Sequence, residues 1–320
     1  MKLVSFEAIN LRGSVTYKWQ AGDEQWNVIS GPNGFGKTTI LKALAMSILG
    51  QKYTLHTDAF MVLPLPGDTA TFKATWDKGA QYGGEISSTF EVRHTLNDRK
   101  VSCAHWNWTG ISSMESLGDL QERCGAVVLG LLSPDLQDGD KTYHRFIDGR
   151  VSTILRNGKL KVWGPRHPWL SDFGFDDWQS WYPIDKCSYL TLLECIWNGI
   201  METASIPTAE QYRLVVRPDD YRDDLTATQL GCDHVGIEFK HGNMTRMGCQ
   251  LPMGLRNLLT WLVDVLGWLL LANPESPTTP SGCVIVDDYD ALLSLDIVRA
   301  LRPTLLKYLP DVQFIMTTSR

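Results

Sequence analysis

Between Gly31 and Thr39 the chain reads Gly31-Pro32-Asn33-Gly34-Phe35-Gly36-Lys37-Thr38-Thr39. The apolar run Trp26-Asn27-Val28-Ile29 precedes this stretch, and a helical pattern of Ile40, Leu41, Ala43 and Leu44 follows it. Glycines at these spacings let backbone N–H groups turn inward around an anion, and a helix beginning at Thr38 adds its positive end to the same place. The spacing G-x-x-x-x-G-K-T between a strand and a helix is that of a phosphate-binding loop, in which Lys37 reaches the β- and γ-phosphates and the Thr38 hydroxyl ligates Mg²⁺. Asn33, Gly34, Gly36 and Thr39 complete the expected cradle. The chemistry implied is the binding of a nucleoside triphosphate, with ATP and Mg²⁺ as the expected cofactors.

A metal held by Thr38 needs a carboxylate from elsewhere in the chain. Cys283-Val284-Ile285-Val286 reads as a buried strand that ends in Asp287-Asp288. An acid at the C-terminal end of such a strand, in a chain that opened with a phosphate loop, is suited to the metal, and Asp287 takes that role.

The elements that position these residues follow from length and periodicity. The chain has 320 residues, 43% of them apolar and 21% charged, which is the composition of a globular protein of one large or two small domains. A net charge of -6 argues against a surface that is a nucleic-acid-binding field throughout, while leaving room for a local basic patch. Seven cysteines without a C-x-x-C pair, and no basic-then-apolar leader at Met1-Lys2-Leu3-Val4, point to a reducing cytoplasm. The apolar run from Leu255 to Leu271 carries Asp264 and reads as a buried core helix, since a charge there would be costly in lipid.

Leu3 to Ile9 and Val15 to Trp19 read as strands. From Thr69 the period becomes two, through Ala70, Phe72, Ala74 and Trp76 and then Ile86, Ser88, Phe90 and Val92, which predicts antiparallel sheet. Gly125 to Gly130 suits a core strand. Val151 to Leu155 and Lys159 to Trp163 form a hairpin turned at Asn157-Gly158. Around it lie Lys141, Arg145, Arg150, Arg156, Lys159 and Lys161, with Tyr143, His144, Phe146 and Trp163 interleaved. That mixture suits a nucleic-acid or partner patch, and equally a solvated hairpin with a few core aromatics. Cys232, His234, His241 and Cys249 match no standard zinc spacing and read as buried thiols and surface histidines.

The arrangement resembles the ABC-type ATPase heads of the SMC and RecF kind, including the compact bacterial AAA-family ATPases of repair and phage-defence systems. Asn10-Leu11-Arg12-Gly13 resembles their N-F-R-G entry, and the loop at Gly31 to Thr39 their G-x-N-G-x-G-K-(S/T). Leu251-Pro252-Met253-Gly254-Leu255-Arg256 stands where their signature L-S-x-G-E-(R/Q) would be, Val284 to Asp290 resembles h-h-h-D-E-h-D, and Leu309 to Thr318 resembles F-P-x-h-Q-F-I-h-T-T. The stretch from about Gln51 to Gln229 carries no such motif. Sustained heptads are absent, so the resemblance is to a head without coiled-coil arms.

The resemblance implies an α/β P-loop NTPase fold: a mixed core sheet, an antiparallel β lobe and an inserted variable lobe. The expected division is 1–50 for the N-terminal half of the core, 51–228 for the antiparallel and variable lobes, and 229–320 for the C-terminal half. It further implies that Arg12 contacts nucleotide, that Gly254 and Arg256 reach a nucleotide held by a second copy, and that Asp288 stands in the place of the catalytic Glu. Heads of this kind close in pairs around ATP, so a homodimer or heteromer is expected, with DNA, a nuclease or a toxin as further partners and no membrane.

Three departures fall on hydrolysis. Pro252 replaces the signature Ser and offers neither hydroxyl nor N–H. Asp288 is one methylene shorter than Glu, where a base or water-positioning group must come within about 2.6–3.2 Å of the attacking water. The switch His aligns with Ser319 or is missing. The resulting expectation is a slow ATPase switch, and the alternative is a nucleotide-stabilised interaction scaffold that does not turn over.

Overall fold

The computed structural model describes residues 2–11, 15–20, 25–32, 34–49, 69–77, 85–94, 101–109, 126–129, 152–156, 159–163, 186–204, 213–216, 237–241, 244–247, 278–290 and 293–318. Within the segment 251–270 it describes positions 251, 252, 254, 255, 258, 259, 262, 265, 266, 269 and 270.

Two strands near the end of the chain are buried at every position. They are β13 (Gly282–Val286) and β14 (Val312–Thr317). Continuous burial requires cover on both faces, which is the setting of a parallel sheet between helices. They pair in parallel with Val286 opposite Met316, and β14 pairs in parallel on its other side with β3 (Trp26–Ile29), Thr317 opposite Ile29. Beyond β13 come β7 (Ala126–Leu129), also parallel, and then the antiparallel hairpin of β8 (Ser152–Arg156) and β9 (Lys159–Trp163). The sheet order is therefore β3-β14-β13-β7-β8-β9. Because the first four strands run the same way, the chain leaves β3, β13 and β14 on one edge of the sheet. Ligands of open α/β sheets bind at that edge.

The alternating pattern gives a different sheet, with order β2-β1-β4-β5-β6. It comprises β1 (Lys2–Leu11), β2 (Val15–Gln20), β4 (Thr69–Asp77), β5 (Glu85–His94) and β6 (Val101–Thr109), all antiparallel. Ala70, Phe72, Ala74 and Trp76 of β4 are buried while the residues between them are not, as period two dictates. The antiparallel lobe thus begins earlier than the sequence suggested. β1 and β2 belong to it, because β1 pairs with β4 along most of its length.

Helix α1 (Lys37–Leu49) packs against both sheets, burying Ile40, Leu41, Ala43 and Leu44. A second joint is polar. The Gln313 side chain accepts from Leu3 N at 2.7 Å and donates to Leu3 O at 3.0 Å. Strand β2 pairs with β1 only from Ser5 onward, so Gln313 takes up backbone groups of Leu3 by acting as a short piece of strand.

On the core sheet lie α2 (Lys186–Thr203), α3 (Leu295–Tyr308) and the helical residues between 254 and 270. Leu193, Trp197 and Ile200 of α2, Leu301 and Leu305 of α3, and Leu258, Leu262, Leu266 and Leu269 share one hydrophobic core with Val284, Val286 and Phe314. A Cβ at Gly199 would stand 3.0 Å from Thr304 Cγ2 and 3.2 Å from Tyr308 Cε2, so this glycine sets how closely α2 and α3 approach. Ser294 caps α3, its hydroxyl accepting from Ile297 N at 3.5 Å. Among the described residues no helix is long and apolar enough to cross a membrane. A three-stranded antiparallel sheet of β10 (Arg213–Val216), β11 (Ile237–His241) and β12 (Met244–Met247) completes the described elements.

Candidate nucleotide-binding site

Strand β3 ends at Ile29 and α1 begins at Lys37, and between them the backbone makes a loop that side chains would resist. Gly34 and Gly36 have φ of +83° and +87°, the left-handed region where a Cβ is strained. A Cβ at Gly34 would meet nothing within 4 Å, so the demand for glycine there is conformational and not steric. Phe35 N donates to Pro32 O at 3.2 Å and Ile40 N to Gly36 O at 2.9 Å, closing the turn and starting the helix. Lys37 is only 7% exposed, and its ammonium donates to Gly31 O at 2.6 Å and Pro32 O at 3.2 Å. The first turn of α1 carries no acidic residue, so its positive end is not offset there.

Asp287, 8% exposed, faces this loop from the end of β13. Thr38 Oγ1 donates to its Oδ2 at 2.7 Å. Its other oxygen, Oδ1, accepts a short hydrogen bond from Thr317 Oγ1 at the end of β14. The same Thr317 oxygen accepts from Asp288 N at 2.8 Å, and Thr317 O accepts from Tyr289 N at 3.1 Å. Asp288 has φ of +47°. Its carboxyl is held above the usual range by burial first and then by Asp287, with Asp290 adding to the shift and Lys37 opposing it. Buried Asp290 accepts from Thr318 Oγ1 at 2.5 Å, and Thr318 N donates to Ile29 O at 3.3 Å.

The donor set suits the expected cofactors. A neutral hydroxyl and a carboxylate oxygen meet at the mouth of a glycine loop, hard oxygen donors of the kind Mg²⁺ takes alongside phosphate oxygens and water. Among the described residues no cluster of three or more His, Cys, Asp or Glu could hold a metal by itself.

Thr39 is buried in the first turn of α1, Gly254 lies in a helical turn with Leu255, and Pro252 is exposed beside buried Leu251. Arg156 stands opposite Lys159 across the β8–β9 hairpin, and Lys161 opposite Ile154. Arg12, Asn33, Lys141, Arg145, Arg150, Arg256 and Ser319 lie outside the described residues. Sequence reasoning missed Thr317 and Thr318 as site residues. Their signal was a pair of hydroxyls closing an otherwise apolar final strand.

A profile of the AAA domain matches residues 7–115, from β1 through the phosphate loop and past β6. The match therefore extends over β4 to β6, where sequence motifs gave no resemblance. An SMC head solved bound to the C-winged helix domain of ScpA superposes with a TM-score of 0.55 at 13% identity, covering 100% of this chain and 90% of that one. The SMC head domain from Thermotoga maritima gives 0.50 at 15% identity, with the same coverage. The fold is that of an SMC head. In sequence, this head is 25% identical over 126 residues to the DNA replication and repair protein RecF of Xanthomonas oryzae pv. oryzae. That match takes in 38% of the head and 32% of the RecF chain, so it spans about a third of the curated relative.

Proposed function

We propose that this head binds ATP with Mg²⁺ and acts as a nucleotide-dependent dimerisation switch that hydrolyses slowly. The observation that supports it is the 2.7 Å hydrogen bond between Thr38 and Asp287, residues 249 positions apart brought together at the positive end of α1. In this reading the loop amides and Lys37 bind the β- and γ-phosphates, while Thr38 and Asp287 hold the metal. Mg²⁺, when bound, neutralises charge on the phosphate oxygens. Asp288 orients water and accepts its proton. Gly254 and Arg256 of a second copy close over the nucleotide, with Arg12 as a further contact.

The curated relative's name points to DNA replication and repair, so the switch is proposed to alter contact with DNA or with a nuclease or toxin partner, in genome maintenance or phage defence in the cytoplasm. The basic hairpin carrying Arg156, Lys159 and Lys161 is the proposed contact. Sedimentation equilibrium with and without Mg-ATP tests the switch: a dimer only with nucleotide is expected, and equal masses at high concentration would remove it. Calorimetry tests the site, and no heat with Mg-ATP would end the nucleotide reading.

A second reading is a scaffold for which ATP is a structural ligand. Exposed Pro252 at the signature Ser position and the short Asp288 carboxylate favour it. Turnover unchanged by Asp288→Asn would support it.

A further inference from the structure

We infer that Thr317 is the positioning residue for both acids of the site, one hydroxyl orienting the Asp287 carboxylate toward the metal and holding the Asp288 backbone. The inference rests on the nucleotide reading above and adds a residue to it. A carboxylate that holds a metal must present one oxygen and keep the other occupied, or it rotates. Groups that hold a metal's ligands in this way are worth about 10–100-fold in metal affinity.

Thr317 is placed to do this. It sits at the end of β14, between the strand that leads into the phosphate loop and the strand that carries Asp287. Its hydroxyl donates its one proton to Asp287 Oδ1, which leaves Oδ2 to Thr38 and the metal. The oxygen of that hydroxyl accepts Asp288 N–H at 2.8 Å, holding Asp288 at φ +47°, a conformation that few side chains adopt without help. Thr317 itself is fully buried, so no water competes for either bond. Thr318, one residue on, bonds a different acid, Asp290. The two hydroxyls have separate duties, which makes Thr318 the natural comparison.

The experiment measures ATP affinity by calorimetry in EDTA and in Mg²⁺, and the reported quantity is the ratio of the two. It uses the full chain with Thr317→Val, which keeps the shape, Thr317→Ser, which keeps the hydroxyl, and Thr318→Val. Mn²⁺ binding in the presence of ATP, followed by electron paramagnetic resonance, is the second readout. Thr317→Val is expected to lower the Mg²⁺-dependent gain about 10–100-fold while leaving affinity in EDTA within twofold, with Thr317→Ser close to wild type. Thr318→Val should leave the ratio unchanged. An unchanged ratio in Thr317→Val overturns the inference, as does an equal loss in Thr318→Val, which would mean a general loosening of the turn. Failure of the wild type to bind ATP overturns the nucleotide reading first, and the inference with it.

Discussion

The residues proposed to grip nucleotide and those proposed to hydrolyse it are built to different standards. Around Lys37, Thr38 and Asp287 every feature agrees. The loop glycines take the left-handed backbone, the lysine is buried on loop carbonyls, and both oxygens of Asp287 are engaged. One residue further on, Asp288 is shorter than the acid the resemblance leads one to expect, and exposed Pro252 stands where it leads one to expect a serine. The first region tolerates little change because its parts hold one another. The second departs from the pattern it resembles. On the proposed function, binding and turnover should therefore be separable.

The largest break in that comparison comes from Lys37→Ala. Hydrogen bonds to charged groups contribute about 1.5–3 kcal/mol each, and loss of the ammonium from the phosphates should weaken ATP binding by at least about 100-fold in calorimetry. Folding should persist, because the lysine's present partners are carbonyls of two loop residues, Gly31 and Pro32, that are themselves at least partly exposed. Next comes Asp288→Asn, expected to lower turnover about 10²–10³-fold with little effect on binding, as for loss of one transition-state stabiliser. Asp288→Glu sharpens the test: restoring the methylene should raise turnover above wild type in a phosphate-release assay.

A smaller effect separates grip from scaffold. Gln313→Leu leaves the N–H and C=O of Leu3 without their partner inside the protein, and each such orphan costs about 1–3 kcal/mol. Denaturant unfolding should show a loss of about 2–6 kcal/mol, while the remaining folded protein still binds ATP.

The smallest effect is a pH slope. The folded Asp288 carboxyl titrates above its ordinary value of 3.8 because it is buried beside Asp287 and near Asp290. A raised folded value means that its contribution is present below 3.8 and is lost as pH rises through the raised value. Without Mg²⁺, the wild type should thus lose melting temperature relative to Asp288→Asn across that window, by a degree or two on the order expected of one partly buried group.

The strand–loop–helix at Gly31 to Thr39, the strand ending in Asp287 and the hairpin at Asn157-Gly158 were all legible, because each is specified by neighbours in sequence. Sheet order was not. Continuous apolar character says that Val312 to Thr317 is covered on both faces but does not say which strands flank it, and β14 enters between β3 and β13. Gln313 and Thr317 escaped for the same reason. A polar residue in an apolar strand is meaningful only once its partner is known, and Leu3 and Asp287 are 310 and 30 positions away. Period two revealed the antiparallel lobe but not that β1 and β2 join it, since strand pairing across the loop and α1 leaves no local mark.

The insertion of β14 between β3 and β13 fixes an order of events during synthesis. Until residues 312–317 have left the ribosome, the phosphate loop's strand has no partner on that side and Asp287 lacks Thr317. A nascent chain shortened by a few residues there lacks the middle of its sheet, not a fringe. On the proposed function, nucleotide affinity waits on that strand.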